Sequence, residues 1–419
     1  MRDRRYDVTF PDRGSVLGTA ELAAVDAVIR SDGPLARGNA RDEFERRFRE
    51  YIGTRHAMTV PSGTVAMDLA IHLAGLRPGD EVLVTPQTFH ATIQPLLSYD
   101  LTVRFCDIDP ASLNIDPGAI ESAISDRTTA VILVHYGGYP ADMDRIVTAA
   151  HRHGAIVIDD CAHVLGASYH GRIPGSLGDI GCFSFHTTKN ISTLGEGGAL
   201  TFDRDDWAKR LERLRTNEVD REVAAVDGVD GVELPSTPLL PWMLFADEVY
   251  RYRYTAVRRA GTNATMSEAA AAVGVVQLDR LPMMTARRRA IAARLDEVIA
   301  RYPQARAHRT PPGVTHAYHL YTFFVDAGPL VREHLVKGLD RRGIEVQLRY
   351  FPLHLIPEWR ARGHRLGECP VAERSWFNTH VNLPCHPGLS DQQVDQMTTA
   401  LAESFDEALV HEANIETVH

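Results

Sequence analysis

The chain predicts an α/β fold: a large lobe built on a mostly parallel sheet, followed by a smaller α+β lobe. Three observations carry this. Seven short apolar runs bounded by turn residues punctuate the first half: "HAMTV", "EVLVT", "TVRFC", "AVILVH", "AIVID", "CFSFH" and "GALTF". Helix-like segments such as "GTVAMDLAIHLAGL" and "DMDRIVTAAHRHG" lie between them, so strands and helices alternate. The pattern then changes: one long helical stretch is followed by two strand-like runs around a single helix.

In order, "RDEFERRFREYIG" (Arg41 to Gly53) places Phe44, Phe48, Tyr51 and Ile52 at helical spacing. The seven runs imply about seven strands. From Thr216 to Gly261 the periodicity weakens into Gly- and Pro-rich text and the basic, aromatic "DEVYRYRYTAVRRAG", read as an excursion that leaves the core and returns. A helix begins after Ser267 and is expected to break at Pro282. "LYTFFVDA" and "IEVQLRYF" read as strands around the helical "LVREHLVKGLDRRG". The expected division is residues 1–262 for the large, cofactor-binding lobe, with the excursion at 216–261, and 263–419 for the smaller lobe.

With 419 residues, 44% hydrophobic and 24% charged, the chain has material for a large core and no signature of disorder. Its net charge of −10 argues against a nucleic-acid surface. No stretch reaches the length of a membrane span, and "MRDRRYDVTF" lacks the apolar core of a signal peptide, so a cytoplasmic protein without membrane contact is expected. The five cysteines form no CxxC pair and read as reduced, buried thiols. Nineteen histidines show no metal-ligand spacing, and no metal site is expected.

Functional groups cluster where strands deliver their carboxyl ends. After the first run, "PSGT" opens a helix; Gly63 permits close backbone approach, and the free N–H groups of a helix start favour a phosphate. Alone that is only a cap. Phe89 follows the second run and alone would be a core aromatic. "AIVIDD" ends in Asp159 and Asp160, a carboxylate position that is costly without a partner and as consistent with a cap or salt bridge as with catalysis. Ser184 and the single lysine of "FSFHTTKNISTLGEGG", Lys189, come one strand later. The set as a whole is what a phosphorylated pyridinium cofactor requires: an anion-binding helix start, an aromatic for one ring face, a carboxylate for the ring nitrogen, a hydroxyl, and an amine able to form a Schiff base.

At this point the chain resembles the DegT/DnrJ/EryC1/StrS aminotransferase family. The matching text includes "PSGTVAMDLAI", "GDEVLVTPQTFHAT", "DIDPASLNID", "VIDDCAHVLGA", "GSLGDIGCFSFHTTKN", "GEGGAL", "NATMSEAAAAVGVVQLDRL", "PLHL" and "LPCHPGLSDQQ". The resemblance implies a fold-type I enzyme, a homodimer with shared active sites, and pyridoxal 5'-phosphate (PLP) cycling through pyridoxamine 5'-phosphate. It implies Lys189 as the lysine that carries the cofactor and shuttles the proton, Asp160 at the pyridine nitrogen and His163 near the ring hydroxyl. Phe89 would stack on the ring. Gly63, Thr64 and Ser184 would hold the phosphate, with Asn263 reaching it from the partner subunit. The implied reaction moves an amino group from L-glutamate or L-glutamine to a keto-sugar nucleotide in natural-product or cell-surface sugar biosynthesis. A keto-cyclitol acceptor is the alternative. A non-catalytic protein retaining the fold is a further reading, against which both Lys189 and Asp160 argue.

The sequence departs from the family where members usually read "GYNYRMS": here "GTNATMS" carries Ala264 and Thr265 in place of Tyr and Arg. The excursion is longer than usual and holds Tyr250, Arg251, Tyr252, Arg253 and Tyr254. It reads as an arm facing an acceptor diphosphate or, the commoner outcome for such text, an amphipathic surface helix. These departures bear on the acceptor and leave the cofactor groups intact.

Overall fold

Each of the seven apolar runs forms a strand of one sheet in the computed structural model, which describes residues 6–217, 223–225, 253–255 and 261–416. They are β1 (His56–Val60), β2 (Glu81–Val84), β3 (Thr102–Phe105), β4 (Thr128–Val134), β5 (Ile156–Asp160), β6 (Ile180–Ser184) and β7 (Gly198–Phe202). The spatial order is β1-β7-β6-β5-β4-β2-β3. The β3–β2, β2–β4, β4–β5 and β5–β6 pairs are parallel; only β7, between β6 and β1, runs the other way. Every residue of β2, β6 and β7 is buried, as their mostly apolar text requires of strands covered on both faces.

Helices α1 (Thr19–Arg30), α2 (Asn39–Ile52), α3 (Gly63–Ala74), α4 (Pro117–Ala123) and α5 (Met143–Arg152) belong to this lobe. The 3.6-residue period of α2 buries Phe44, Phe48 and Ile52. Phe48 meets Phe183 and Phe185 edge-on, at ring-centroid distances of 4.9 and 5.3 Å, which pins the helix over the ends of β6.

Residues 1–203 and 266–419 make one compact unit; residues 204–265 make another. In the latter lie α6 (Asp205–Arg215) and two three-residue strands, Val223–Ala225 and Arg253–Thr255, paired antiparallel. Arg253 and Tyr254 are therefore in a strand, not in the surface helix that is the commoner outcome for such text. The rest of the basic aromatic segment, with Tyr250, Arg251 and Tyr252, lies outside the described residues.

In the larger unit, α7 (Glu268–Ile299) starts at Ser267, whose Oγ accepts from the Ala270 N–H at 3.3 Å. The expected break at Pro282 does not occur. Leu278 and Leu281 before the proline and Met284 and Thr285 after it are all buried, so tertiary packing holds both halves in line against the loss of one backbone bond. The smaller sheet, β8 (Ala305–Ala307), β9 (Tyr321–Val325) and β10 (His380–Leu383), is antiparallel in that order. Helices α8 (Pro329–Arg341) and α9 (Asp391–Glu416) cover it with a core that includes Leu335, Leu339, Phe323, Leu401 and Phe405.

"IEVQLRYF" is not a strand. Within it only Ile344 and Gln347 make single bridges, to Val8 and Asn382. Its backbone groups go to side chains instead: the Arg349 N–H donates to Asn382 Oδ1 at 2.7 Å, and the Arg349 carbonyl accepts from Gln87 and Tyr136. All five cysteines are buried and free. Among the described residues no helix is long and apolar enough to cross a membrane.

Candidate active site

A cavity of about 590 Å³ opens at the carboxyl ends of the parallel strands. It is lined by Gly63, Thr64, Phe89, Asp160, His163, Ser184 and Lys189, together with Thr88, His319, Arg349 and Tyr350. Seven of the eight residues that the resemblance implies are thus brought to one place. Asn263 is in the other unit, where it bridges to Thr216.

Each side chain is there for a local reason. Ser62 caps α3, its Oγ accepting from the Val65 N–H at 3.2 Å, which leaves the first N–H groups of the helix directed at the cavity. Gly63 is required: a Cβ there would lie 2.7 Å from Ser184 Cβ. That close approach sets the Ser184 hydroxyl beside the helix start and completes an anion cradle. Phe89 is 46% exposed, so it is not a core aromatic; it stands at the cavity edge, its ring 6.0 Å from Tyr350.

Strand alternation separates the two aspartates. Asp159 points into the core, accepting from the Gly175 N–H at 3.0 Å with Cys161 and His135 nearby. Asp160 points into the cavity, where the Thr92 hydroxyl donates to Oδ2 at 2.7 Å and the Ala162 N–H to Oδ1 at 2.9 Å. Thr92 in turn shares a 2.6 Å hydrogen bond with Thr88. His163 is buried, with Nδ1 unpartnered and Nε2 3.4 Å from the Tyr350 hydroxyl. Burial first, then the nearby cations Lys189 and Arg349, push its pKa well below the ordinary histidine value, so the ring is neutral.

Lys189 sits on a turn held by its own N–H to the His186 carbonyl at 2.8 Å and the Thr187 N–H to the Gly195 carbonyl at 2.8 Å. The N-terminal segment straps this turn: the Gly14 N–H donates to the Thr187 carbonyl at 2.8 Å, so near that a Cβ on Gly14 would fall 1.9 Å from Thr188 O. Burial lowers the Lys189 pKa to about 8, with Asp160 opposing and Arg349 reinforcing the shift. A sizeable fraction of this amine is therefore unprotonated and nucleophilic near neutral pH.

A model described as the DegT/DnrJ/EryC1/StrS aminotransferase family matches residues 16–402. The chain belongs to that family. As a family member it is an enzyme, an aminotransferase. It is 33% identical over 392 residues to a spore coat polysaccharide biosynthesis protein of Bacillus subtilis, covering 93% of this chain and 95% of that one. To the GDP-perosamine synthase of Caulobacter vibrioides it is 32% identical over 362 residues, 86% and 88% of the two chains. Among solved structures it is similar to a candidate sugar aminotransferase of Streptococcus pneumoniae in its PLP form. That likeness has a TM-score of 0.81 at 26% identity and covers 95% of this chain and 99% of that one.

The donor set of this family member fits PLP. The cradle that Gly63 alone permits suits a phosphate, the hydrogen-bonded Asp160 carboxylate suits a pyridinium, and the orphaned His163 Nδ1 suits a ring substituent. Sequence reasoning missed Thr92, Tyr350, His319 and Arg349. Thr92 stood in the quoted "PQTFHAT", but only its 2.7 Å bond to Asp160 distinguishes it. The other three come from the smaller lobe, and spacing along the large one cannot point to them.

Proposed function

We propose that this aminotransferase uses PLP, held on Lys189, to move an amino group from L-glutamate or L-glutamine to the keto group of a sugar nucleotide. The observation that carries the cofactor reading is the convergence of a lowered-pKa lysine and a hydrogen-bonded aspartate on one cavity beside a glycine-dependent anion cradle. Similarity to a GDP-perosamine synthase and a polysaccharide biosynthesis protein supports the sugar acceptor.

PLP supplies an electron-withdrawing ring that stabilises negative charge at the carbon bearing the amine. Asp160 holds a proton on the pyridine nitrogen, and Thr92 with the Ala162 N–H fixes the carboxylate for that task. The N–H groups of Gly63 and Thr64 and the Ser184 hydroxyl bind the phosphate. Phe89 would cover a ring face, and neutral His163 would serve the ring hydroxyl. Lys189 Nζ would be the base that takes the donor's α-proton, a task suited to a pKa near the working pH. A cytoplasmic homodimer is part of the proposal, with Asn263 reaching the partner's phosphate site. So is the two-lobe division after residue 262; β8, β9 and β10 all lie beyond it.

The test mixes PLP-loaded protein with a panel of amino-sugar nucleotides and free aminocyclitols and follows the visible cofactor band. Bleaching by nucleotide-linked amines alone supports the proposal. Bleaching by cyclitols alone moves the acceptor to that class, and a protein that never forms the band defeats the reading. Lys189→Ala is expected to keep the fold and bind PLP non-covalently while losing turnover by about a thousandfold or more; normal turnover would overturn the assignment.

A further inference from the structure

Arg349 is a cation built into the cavity wall beside Lys189, yet no carboxylate of this chain lies within ion-pair distance of it among the described residues. It is held on several sides. Its backbone N–H donates to Asn382 Oδ1 at 2.7 Å, and its carbonyl accepts from Tyr136 and Gln87. Its Nε donates to Gln347 Oε1, and Phe10 lies 5.3 Å beneath the guanidinium. Gln347 cannot turn its amide round, because its Nε2 donates to Glu345 Oε1 at 2.8 Å. Glu345 is itself fixed by the Phe10 N–H at 2.8 Å. The Nε edge is thus used for positioning and the Tyr350 hydroxyl takes one further contact, while among the described residues no carboxylate engages the terminal Nη groups.

A guanidinium fixed in this way, with donors beyond those that Gln347 and Tyr350 take, is a ready fork for a planar anion. The phosphate of PLP would be served by other lining groups, the start of α3 and Ser184. The position also discriminates between substrate anions. In an α-amino acid the carboxylate is one bond from the carbon that carries the amine. In a sugar nucleotide the diphosphate is separated from a ring keto carbon by several bonds. Arg349 is near enough to Lys189 to reinforce the lowering of its pKa. An anion bound to Arg349 therefore lies close to the reacting carbon.

We infer that Arg349 receives the α-carboxylate of the amino donor, so that it selects α-amino acids and serves the donor half of the reaction. This inference rests on the aminotransferase reading above and deepens it. Apart from its effect on the Lys189 pKa, Arg349 acts on the donor half and should be silent when the amine arrives on a sugar.

The experiment measures the two half-reactions separately for the unaltered enzyme, Arg349→Gln and Arg349→Lys, each PLP-loaded and checked by its visible band. In Arg349→Gln, kcat/KM for L-glutamate should fall by about 100-fold or more, the loss expected for a charged hydrogen-bonded pair. At a pH high enough to leave Lys189 neutral in both proteins, the half-reaction from the amino-sugar side should change by less than about threefold. The preference for glutamate over 4-aminobutyrate, which lacks the α-carboxylate, should collapse, and Arg349→Lys should restore part of it. A readout independent of turnover is the pH dependence of covalent PLP capture by cofactor-free protein, whose midpoint should move upward once the neighbouring cation is gone.

An Arg349→Gln enzyme that keeps its preference for glutamate overturns the inference. So does one that loses both half-reactions equally, since that marks a residue holding the site together. If the unaltered protein takes no amino group from any amino acid, the function proposed above fails and this inference with it.

Discussion

Thr92 shows how much of the site depends on side chains that never face a substrate. Its hydroxyl passes a hydrogen bond from Thr88 to Asp160, and among the described residues Asp160 has one other donor, the Ala162 N–H. A hydrogen bond to a charged group contributes about 1.5–3 kcal/mol, so Thr92→Val should lower kcat by about ten- to a hundredfold while leaving PLP bound. Single-turnover kinetics read that difference, and an unchanged rate would remove Thr92 from the machinery. Lys189 makes a second prediction at this scale. With its pKa lowered to about 8, the neutral amine increases as pH rises through that value. Covalent PLP capture by cofactor-free protein should therefore quicken from pH 7 to pH 9 and level off above it; a rate still climbing at pH 10 would mean an amine of ordinary basicity. Of these two residues the sequence disclosed only the lysine. A lone amine between two buried strands is conspicuous in text, whereas a threonine three residues past a phenylalanine is not.

Among the elements, α7 carries the most unexpected chemistry. Arg288 on this helix is fully buried with no carboxylate partner among the described residues, its guanidinium donating instead to the carbonyls of Gly14, Tyr318 and Cys385. Burial lowers its pKa to about 10, which still leaves it charged at neutral pH. Arg288→Ala would strand three carbonyls in the core at about 1–3 kcal/mol each, less whatever water enters the space. We expect a loss of at least about 3 kcal/mol in denaturant unfolding, with PLP capture impaired in the folded fraction because Gly14 also touches the Lys189 turn. A variant of unaltered stability would show the cation to be dispensable. The elements divide sharply by legibility. The strands of the large sheet are written as short, mostly apolar runs, and β2, β6 and β7 are buried throughout because both faces are covered. "IEVQLRYF" alternates apolar and polar residues as a half-buried strand would and is not a strand, because Asn382, Gln87 and Tyr136 take its backbone bonds. Pro282 misleads in the opposite sense, since burial on both sides of it outweighs a local rule.

For the molecule as a whole, buried neutral histidines set a limit on acid tolerance. Burial holds His308 at about 4 and His380 at about 3, against about 6.5 in an unfolded chain. Below about pH 6.5 the unfolded state takes up protons that the folded state refuses until it approaches those lower values. The stability they contribute is complete above about pH 6.5 and is lost as the pH falls towards 4 and 3. The urea midpoint should therefore decline over this window, and His308→Gln should flatten the decline. A midpoint constant from pH 7 to pH 4 would contradict it.

The strap over the lysine turn also bears on the order of events in the cell. Gly14 holds Thr187, Arg288 holds Gly14, and the same guanidinium reaches Cys385. The seat of one amine thus depends on four stretches spread along nearly the whole polypeptide, and contacts so far apart in the chain form slowly. A ribosome must release almost all of the chain before the last of them can arrive. A nascent chain stalled before Cys385 should hold a formed large sheet and still fail to take up its cofactor, so loading would follow synthesis and could not accompany it.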